Sequence, residues 1–367
     1  MSRTGMARRR SPRHYGRLMT ALAAAGALAL AACSGGGDDP ADGSPQTGGG
    51  GDEVEDLGEM TVVTFLPLDS ITFVPEIVAH VGGYFDDHGL DVQLEAVQGS
   101  SAALQAVIGG AAAMTRVSTI DLYPALEQDQ PIKAIGTMAY SSPIWILSAD
   151  SNPVESMADL EGEVIGMGSI GGTSENLLNL TLDAAGIDRD TVTRQAVPVT
   201  GATFELVKRG ELAGYMVSID TALQIDAQHP EAVATSAGLE QTPDLHAWIT
   251  TERNLEDEET VAQIRAFLAA VKEAMEFVVG DAANDYANVI ELIQSSEFSV
   301  PALDVDEVAA DTIDWYVQNV WKSPTGEFDL IENDHESMRA AYDLYTEGGL
   351  IEGGHDPSDW ITDDYLP

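Results

Sequence analysis

Val164-Ile165-Gly166-Met167-Gly168-Ser169-Ile170-Gly171-Gly172-Thr173 leads into an apolar-periodic segment that reaches Ala185. A β-branched pair, a glycine-rich loop and a helical period, in that order, read as strand, turn and helix. The glycine spacing is that of a dinucleotide fingerprint, which also needs an acid about 20 residues on, at the end of the following strand. Here Asp188 and Asp190 lie in the turn before the next strand, Val192 to Val197, and this argues against a nucleotide. What remains is a physical property of the loop. Small residues before a helix leave backbone N–H groups uncovered at the positive end of the helix dipole, where an oxygen-rich group can be held. An ordinary cap by Thr173 or Ser174 is the competing reading.

The same succession continues on both sides. Downstream lie a polar loop, Pro198 to Thr203, a helix, Phe204 to Lys208, and a third strand, Ala213 to Val217. Upstream, Met60 to Leu66 reads as a buried strand and Val74 to Phe85 as a helix with Ile77, Val78, Val81 and Phe85 on one face, stopped by Gly89. Asp91 to Val97 is then a strand, Gln98 to Ser101 a polar loop, Ala102 to Ile108 a helix and Ala111 to Val117 a third strand. Each set is βαβαβ, which calls for a parallel sheet with ligands beyond the carboxyl ends of its strands. Val107, Gly110, Ala113, Val117 and Ser118 recur one hundred positions later as Val207, Gly210, Ala213, Val217 and Ser218. Gly89-Leu90-Asp91 is likewise echoed by Gly186-Ile187-Asp188. The repeat is architectural; so few positions do not establish common ancestry.

Ile132 to Ala139 and Ile144 to Ser148 form strands between the two sets, and Ala232 to Ser236 and Ala247 to Thr251 follow the second. The chain therefore crosses twice between its halves. Asn254, with Glu256, Asp257, Glu258 and Glu259 in the first turn, opens a helix through Val279. Acids at that end complement the helix dipole, so the run is structural and not a metal site. Helices at Asp281 to Gln294, Asp304 to Val320 and Glu332 to Thr346 complete the chain and buttress the first half.

Arg3, Arg8, Arg9, Arg10, Arg13 and Arg17 precede an uncharged run from Leu18 that ends in Leu30-Ala31-Ala32-Cys33, the pattern of an export signal with a lipobox. Cys33, the only cysteine, stands where a bacterial lipoprotein is cleaved and acylated. Removing residues 1–33 leaves 11 basic against 61 acidic residues, a net charge of −50, which excludes nucleic acid as a partner and favours a soluble monomer. Ser34 to Glu59, rich in Gly, Asp, Ser, Pro and Gln, reads as a disordered tether.

The familiar reactive arrangements fail on inspection. A nucleophile elbow at Ser169 needs glycine where Met167 stands, and the histidines show no metal-binding spacing and no cysteine partners. Carboxylates are too numerous for any glycosidase pair to stand out. No catalytic residue, cofactor or metal is assigned.

Gly83-Tyr84-Phe85 followed by Gly89-Leu90-Asp91-Val92, and Ala106-Val107-Ile108-Gly109-Gly110 before a short strand, resemble the substrate-binding lipoproteins of ABC importers in the nitrate, sulfonate, taurine and thiamine-precursor group. Met157-Ala158-Asp159-Leu160-Glu161-Gly162 and Leu182-Asp183-Ala184-Ala185-Gly186-Ile187 fit the same group. Ala111-Ala112-Ala113 departs from it, since acidic residues usually precede the third strand there. The resemblance implies an α/β, periplasmic-binding-protein-like (type II) fold: two α/β lobes joined by a two-strand hinge and closing on a small molecule. On that basis 60–148 and 248–367 form lobe 1 and 149–247 form lobe 2. It also implies partners: ABC permease subunits with a cytoplasmic ATPase, reached from a lipid anchor on Cys33 at the outer face of the cytoplasmic membrane.

The loops then expected to face one another carry Leu68, Asp69, Ser70, Phe73, Gln98, Ser100, Ser101, Arg116 and Ser118 in lobe 1, and Gly171, Gly172, Thr173, Ser174, Thr203, Ser218 and Asp220 in lobe 2. Arg116 has two readings, an anchor for a sulfonate, carboxylate or nitrate and a structural ion pair with Asp121 or another neighbour. Trp145 and Trp248 are placed to stack on a flat ring such as a pyrimidine, or to pack at the hinge. A pyrimidine-synthesising enzyme shares this fold family but relies on a cysteine-rich motif, and a ligand-sensing lipoprotein that docks to a receptor is a further alternative.

Overall fold

The computed structural model describes residues 54–168, 170–305 and 308–367. The export signal, Cys33 and most of the tether lie outside the described residues, as does Ser169 within the glycine loop. The chain starts its first strand at Gly58, two residues before the expected start at Met60, because Gly58 and Glu59 already pair with Leu90 and Asp91.

The first lobe runs β1 (Gly58–Thr64), α1 (Val74–Val81), α2 (Tyr84–Asp87), β2 (Leu90–Ala96), α3 (Ser100–Ile108), β3 (Met114–Ser118), α4 (Thr119–Leu126) and β4 (Ile132–Ala139). The helix expected from Val74 to Phe85 is broken in two. Gly83 adopts φ +80°, a left-handed conformation that a helix interior does not allow and that glycine takes at little cost. Val62, Ile77, Val78 and Phe85 are buried on one face of the sheet, and Val63, Ala103, Leu104 and Val107 on the other.

The second lobe repeats the plan: β5 (Ile144–Ala149), β6 (Val164–Met167), α5 (Thr173–Ala184), β7 (Thr193–Ala196), α6 (Phe204–Lys208), β8 (Gly214–Ser218), α7 (Ile219–Gln228) and β9 (Ala232–Thr235). The chain returns through β10 (His246–Thr251) and ends in α8 (Glu252–Leu255), α9 (Glu258–Gly280), α10 (Ala287–Gln294), α11 (Ala309–Tyr316) and α12 (His335–Glu347). The acidic run caps a helix as expected, but the capping residue is Asp257, which accepts from Thr260 N–H; Asn254 belongs to α8 and donates to Ala113 O. Helix α9 packs against α1 and α2, so the C-terminal helices support the first lobe.

Two five-stranded sheets result, ordered β2-β1-β3-β10-β4 and β7-β6-β8-β5-β9. They match strand for strand. The three βαβαβ strands are parallel in each, and the fourth position is antiparallel in each, so the sheets are mixed and not wholly parallel. That antiparallel strand is always the one that has just crossed over: β5 after residues 140–143, β10 after residues 236–245. The expected lobe boundary therefore shifts. Ile144–Ala149 belongs to the second sheet, and His246 and Ala247 to the first.

Candidate functional site

Both sets of parallel strands deliver their carboxyl ends to the junction between the lobes, and the side chains that meet there come from four turns. Two of them follow β3 and β8. Ser118 (φ −61°, ψ 145°) and Ser218 (φ −69°, ψ 152°) turn the chain directly from strand into helix, with Asp121 and Asp220 in the first turns of α4 and α7. The other two follow β1 and β6, where Ser70 and Thr173 precede or open the next helical turn.

The contacts across the junction are reciprocal. Thr173 Oγ1 of lobe 2 donates to Asp121 Oδ2 of lobe 1 at 2.7 Å. Ser70 Oγ of lobe 1 is directed at Asp220 Oδ2 of lobe 2 at 3.5 Å. Tyr316, at the end of α11 and leading into a wide π-helical turn (Val317–Trp321), places its hydroxyl 3.5 Å from Asp220 Oδ1. Such turns recur at functional sites. Burial pushes both carboxyls above the ordinary range; hydrogen bonds from Thr173 and Ser100 partly offset this at Asp121, and from Ser218 and nearby backbone N–H groups at Asp220. Burial likewise raises the Tyr316 hydroxyl, with the Asp220 charge adding to it.

A third acid closes the group from behind. Asp244, on the return crossing, accepts from the hydroxyls of Ser118 and Ser142 and is pushed up to about 6 by burial, those two bonds opposing the rise and the Asp121 charge adding to it. Two residues on, His246 stands opposite Ser118 in the sheet, 8 % exposed, with Nδ1 buried and unpartnered. Burial and then the Arg116 charge lower it to about 3, so this imidazole is neutral.

Arg116 is the correction that matters most. It is buried at 1 % exposure, its Nε bonded to Glu76 and its Nη2 to Thr72 O, while Asp121 is occupied elsewhere. Its guanidinium carbon lies 4.8 Å from the Phe73 ring centroid and 5.6 Å from that of Phe65. The guanidinium takes the ion-pair reading, with Glu76 as its partner and aromatic rings as its walls, while its Nη1 is buried without a partner.

The glycine loop is also taken. Gly171 N–H donates to the side chain of Glu175, which Arg194 Nε approaches at 3.6 Å, so the chain's own carboxylate fills the place an anionic ligand was expected to hold. Helix α5 has no side-chain cap from Thr173 or Ser174; Gly172 is its N-cap.

Other expected residues fall away from the junction contacts. Asp69, Gln98 and Ser101 are exposed, and Leu68 and Ser174 half-buried with no cross-lobe bond recorded. Phe73 is in the core, and Thr203 turns inward to Pro198 O. Trp145 packs edge-on against Trp315 at 5.8 Å, and Trp248 edge-on against Phe267 at 4.9 Å. Asp121, Asp244, His246 and Tyr316 are the residues that sequence reasoning missed. A signal existed for Asp121: Ser118 caps α4 by accepting from Ile120 N–H, and an acid in the next turn belongs to that pattern.

The NMT1/THI5-like family model matches residues 70–284, more than half of the sequence and the whole of the second sheet. The chain belongs to that family. No curated protein sequence matches this NMT1/THI5-like chain. Solved structures do. The aliphatic sulphonate binding protein SsuA from Escherichia coli is 16 % identical, with 83 % of this chain and 92 % of that one covered at a TM-score of 0.59. The nitrate-binding protein NrtA from Synechocystis PCC 6803 is 14 % identical, covering 84 % and 86 % at 0.57. A Candida albicans gene product, described as having the generic periplasmic binding protein fold, is 15 % identical, covering 84 % and 97 % at 0.60. At these identities the likeness carries the fold: this is a periplasmic-binding-protein-like molecule of two α/β lobes.

Proposed function

We propose that this protein is the extracytoplasmic solute-binding component of an ABC importer, which closes its two lobes on a small molecule and presents it to a membrane permease. The observation that carries this reading is the reciprocal pair of contacts, Thr173 to Asp121 and Ser70 to Asp220, at the carboxyl ends of both sheets. Polar groups that meet across two lobes come apart and together with the hinge, and a solute that touches both lobes favours the closed state. Sulfonate- and nitrate-binding neighbours of the same fold support the role. The lipobox at Cys33 supports anchoring at the outer face of the cytoplasmic membrane, beside the permease and its ATPase. In this reading no residue performs a reaction.

Small-angle scattering on the purified chain tests it. A cognate solute is expected to reduce the radius of gyration, and an unchanged shape at saturation overturns the reading.

A further inference from the structure

Three aspartates stand at the joints about which the lobes move, and each is bonded across one. Asp121 on α4 of lobe 1 accepts from Thr173 of lobe 2 at 2.7 Å and from Ser100 of its own lobe. Asp220 on α7 of lobe 2 accepts from the backbone N–H of Ile71 in lobe 1, besides Ser218 and the N–H groups of Asp220 and Thr221 in its own lobe. Asp244 lies on the return crossing and accepts from Ser142 on the first crossing and from Ser118 at the end of β3. Two carboxyls therefore tie lobe to lobe, and the third ties both crossings to lobe 1. None of these donors is cationic. The titratable groups that face Asp244 are Asp121 from α4, Tyr345 from α12, and His246 two residues on. Tyr345, bonded to Thr119 and Pro243 O, is held neutral chiefly by burial, as is His246; Tyr316 from α11, which faces Asp220, is neutral for the same reason. Arg116 on β3 is the cation whose charge reaches His246 and Tyr316, and it is paired with Glu76.

Resting on the two-lobe closure proposed above, we infer that the junction is a proton-operated latch: protonation of Asp244, with Asp121 and Asp220, holds the lobes together, and ionisation lets them part. Closing takes water away from the carboxyls that meet across the lobes, and opening returns it. A carboxyl enclosed between two surfaces keeps its proton longer than one in water, and the Asp121 charge adds to this at Asp244. Closing therefore takes up protons. All three carboxyls are raised in the closed protein, so the preference for closure is full below the ordinary carboxylate value of about 3.9 and is lost as pH rises through about 6, the value reached at Asp244. Within that window each proton linked to closure changes the ratio of open to closed protein by roughly tenfold per pH unit. A solute that needs the closed state is then held more tightly in acid than at neutral pH.

The test is small-angle scattering of the solute-free full chain from pH 4.5 to 8, with circular dichroism at each pH to establish the native fold. Wild type is expected to be compact at pH 5 and expanded at pH 8, with a midpoint near 6. Asparagine keeps an oxygen that accepts the same hydroxyl bonds but cannot ionise. Asp244→Asn is therefore expected to lose the step at 6 and stay compact at pH 8, and Asp121→Asn to make the step shallower, because one titrating group is gone. Glu276→Gln, which alters an exposed acid on α9, is expected to keep the whole step; this separates the latch from a general loss of surface charge. Should Asp244→Asn fail to fold, Asp121→Asn carries the decision. A radius of gyration independent of pH in the native protein, or a step left unchanged by the aspartate variants, overturns the inference. Either result leaves solute capture standing, since that is decided by compaction on adding solute at one pH.

Discussion

At the end of β3 and again at the end of β8, a serine in extended conformation turns the chain into a helix whose first turn holds an aspartate. Gly110 and Gly210 precede the two strands at φ +77° and +70°, and α3 and α6 end one hundred positions apart at Ile108 and Lys208. The backbones match, yet the side chains are used differently. Ser118 caps its helix and also bonds Asp244, whereas Ser218 makes no cap bond and contacts Thr221 at 3.2 Å. The acid comes one residue earlier in lobe 2, and it meets a hydroxyl from the other lobe at 3.5 Å instead of 2.7 Å. A duplicated scaffold fixes where the acids stand; the partners that each acid finds differ between the lobes.

The largest expected effect concerns position 116, whose counterpart one hundred residues on is Met216. Making the lobes alike with Arg116→Met leaves Glu76 buried and unpaired, and should cost about 3–5 kcal/mol in denaturant unfolding. Adding Glu76→Gln should recover most of it. An unchanged unfolding midpoint in the single variant would show that the pair is not structural.

Asp244 has no counterpart in a matching turn and sets a pH dependence. Its carboxyl is raised in the folded state from an unfolded value of about 3.9 to about 6, so the native state holds its proton longer. The stability this contributes is present below pH 4 and is lost as pH rises through 6. Unfolding of wild type minus Asp244→Asn, measured from pH 4 to 7.5, should therefore fall by roughly 2–3 kcal/mol. A flat difference would place Asp244 in contact with solvent.

Comparing Asp121 with Asp220 in the solute-free protein sharpens the contrast further. Asp121→Ala deprives the Thr173 hydroxyl of its acceptor and should destabilise by about 1–2 kcal/mol. Asp220→Asn removes the charge of a carboxyl that burial raises and leaves an amide oxygen for Ser218 and the nearby backbone N–H groups, and should stabilise by about 1 kcal/mol at pH 8. Shifts of the same sign in thermal melts would erase the distinction between the two acids.

The smallest effect tests the scaffold alone. Gly110→Ala and Gly210→Ala each force a left-handed residue to carry a Cβ, costing about 1 kcal/mol. The Cβ at Gly210 meets open space, while the one at Gly110 comes within 2.7 Å of Arg253 Nη2, the movable end of an exposed side chain. The two costs should agree within about 0.5 kcal/mol in chemical denaturation. A much larger loss at Gly110 would mean that Arg253 is held in place.

Strand identity, the doubled βαβαβ plan and the two crossings were readable along the chain, because alternation, helical period and glycine turns are encoded within a few residues of one another. Helices α4 and α7 were not. They are eight and ten residues long, and α4 carries Pro124 inside it, so neither shows a sustained apolar period. The antiparallel entry of β5 and β10 was hidden as well, since only the crossing places each strand in the opposite sheet from its predecessor. Partners were hidden for the same reason: Arg116 finds Glu76 at a separation of 40 residues, Asp121 finds Thr173 at 52 and Asp220 faces Ser70 at 150. Sequence alone determined two matching lobes and the serine turns that bring acids to their junction. Tertiary structure decided that the arginine pairs with Glu76 and that the two acids find different partners, because charge compensation in a buried site depends on which distant groups packing brings within hydrogen-bond reach.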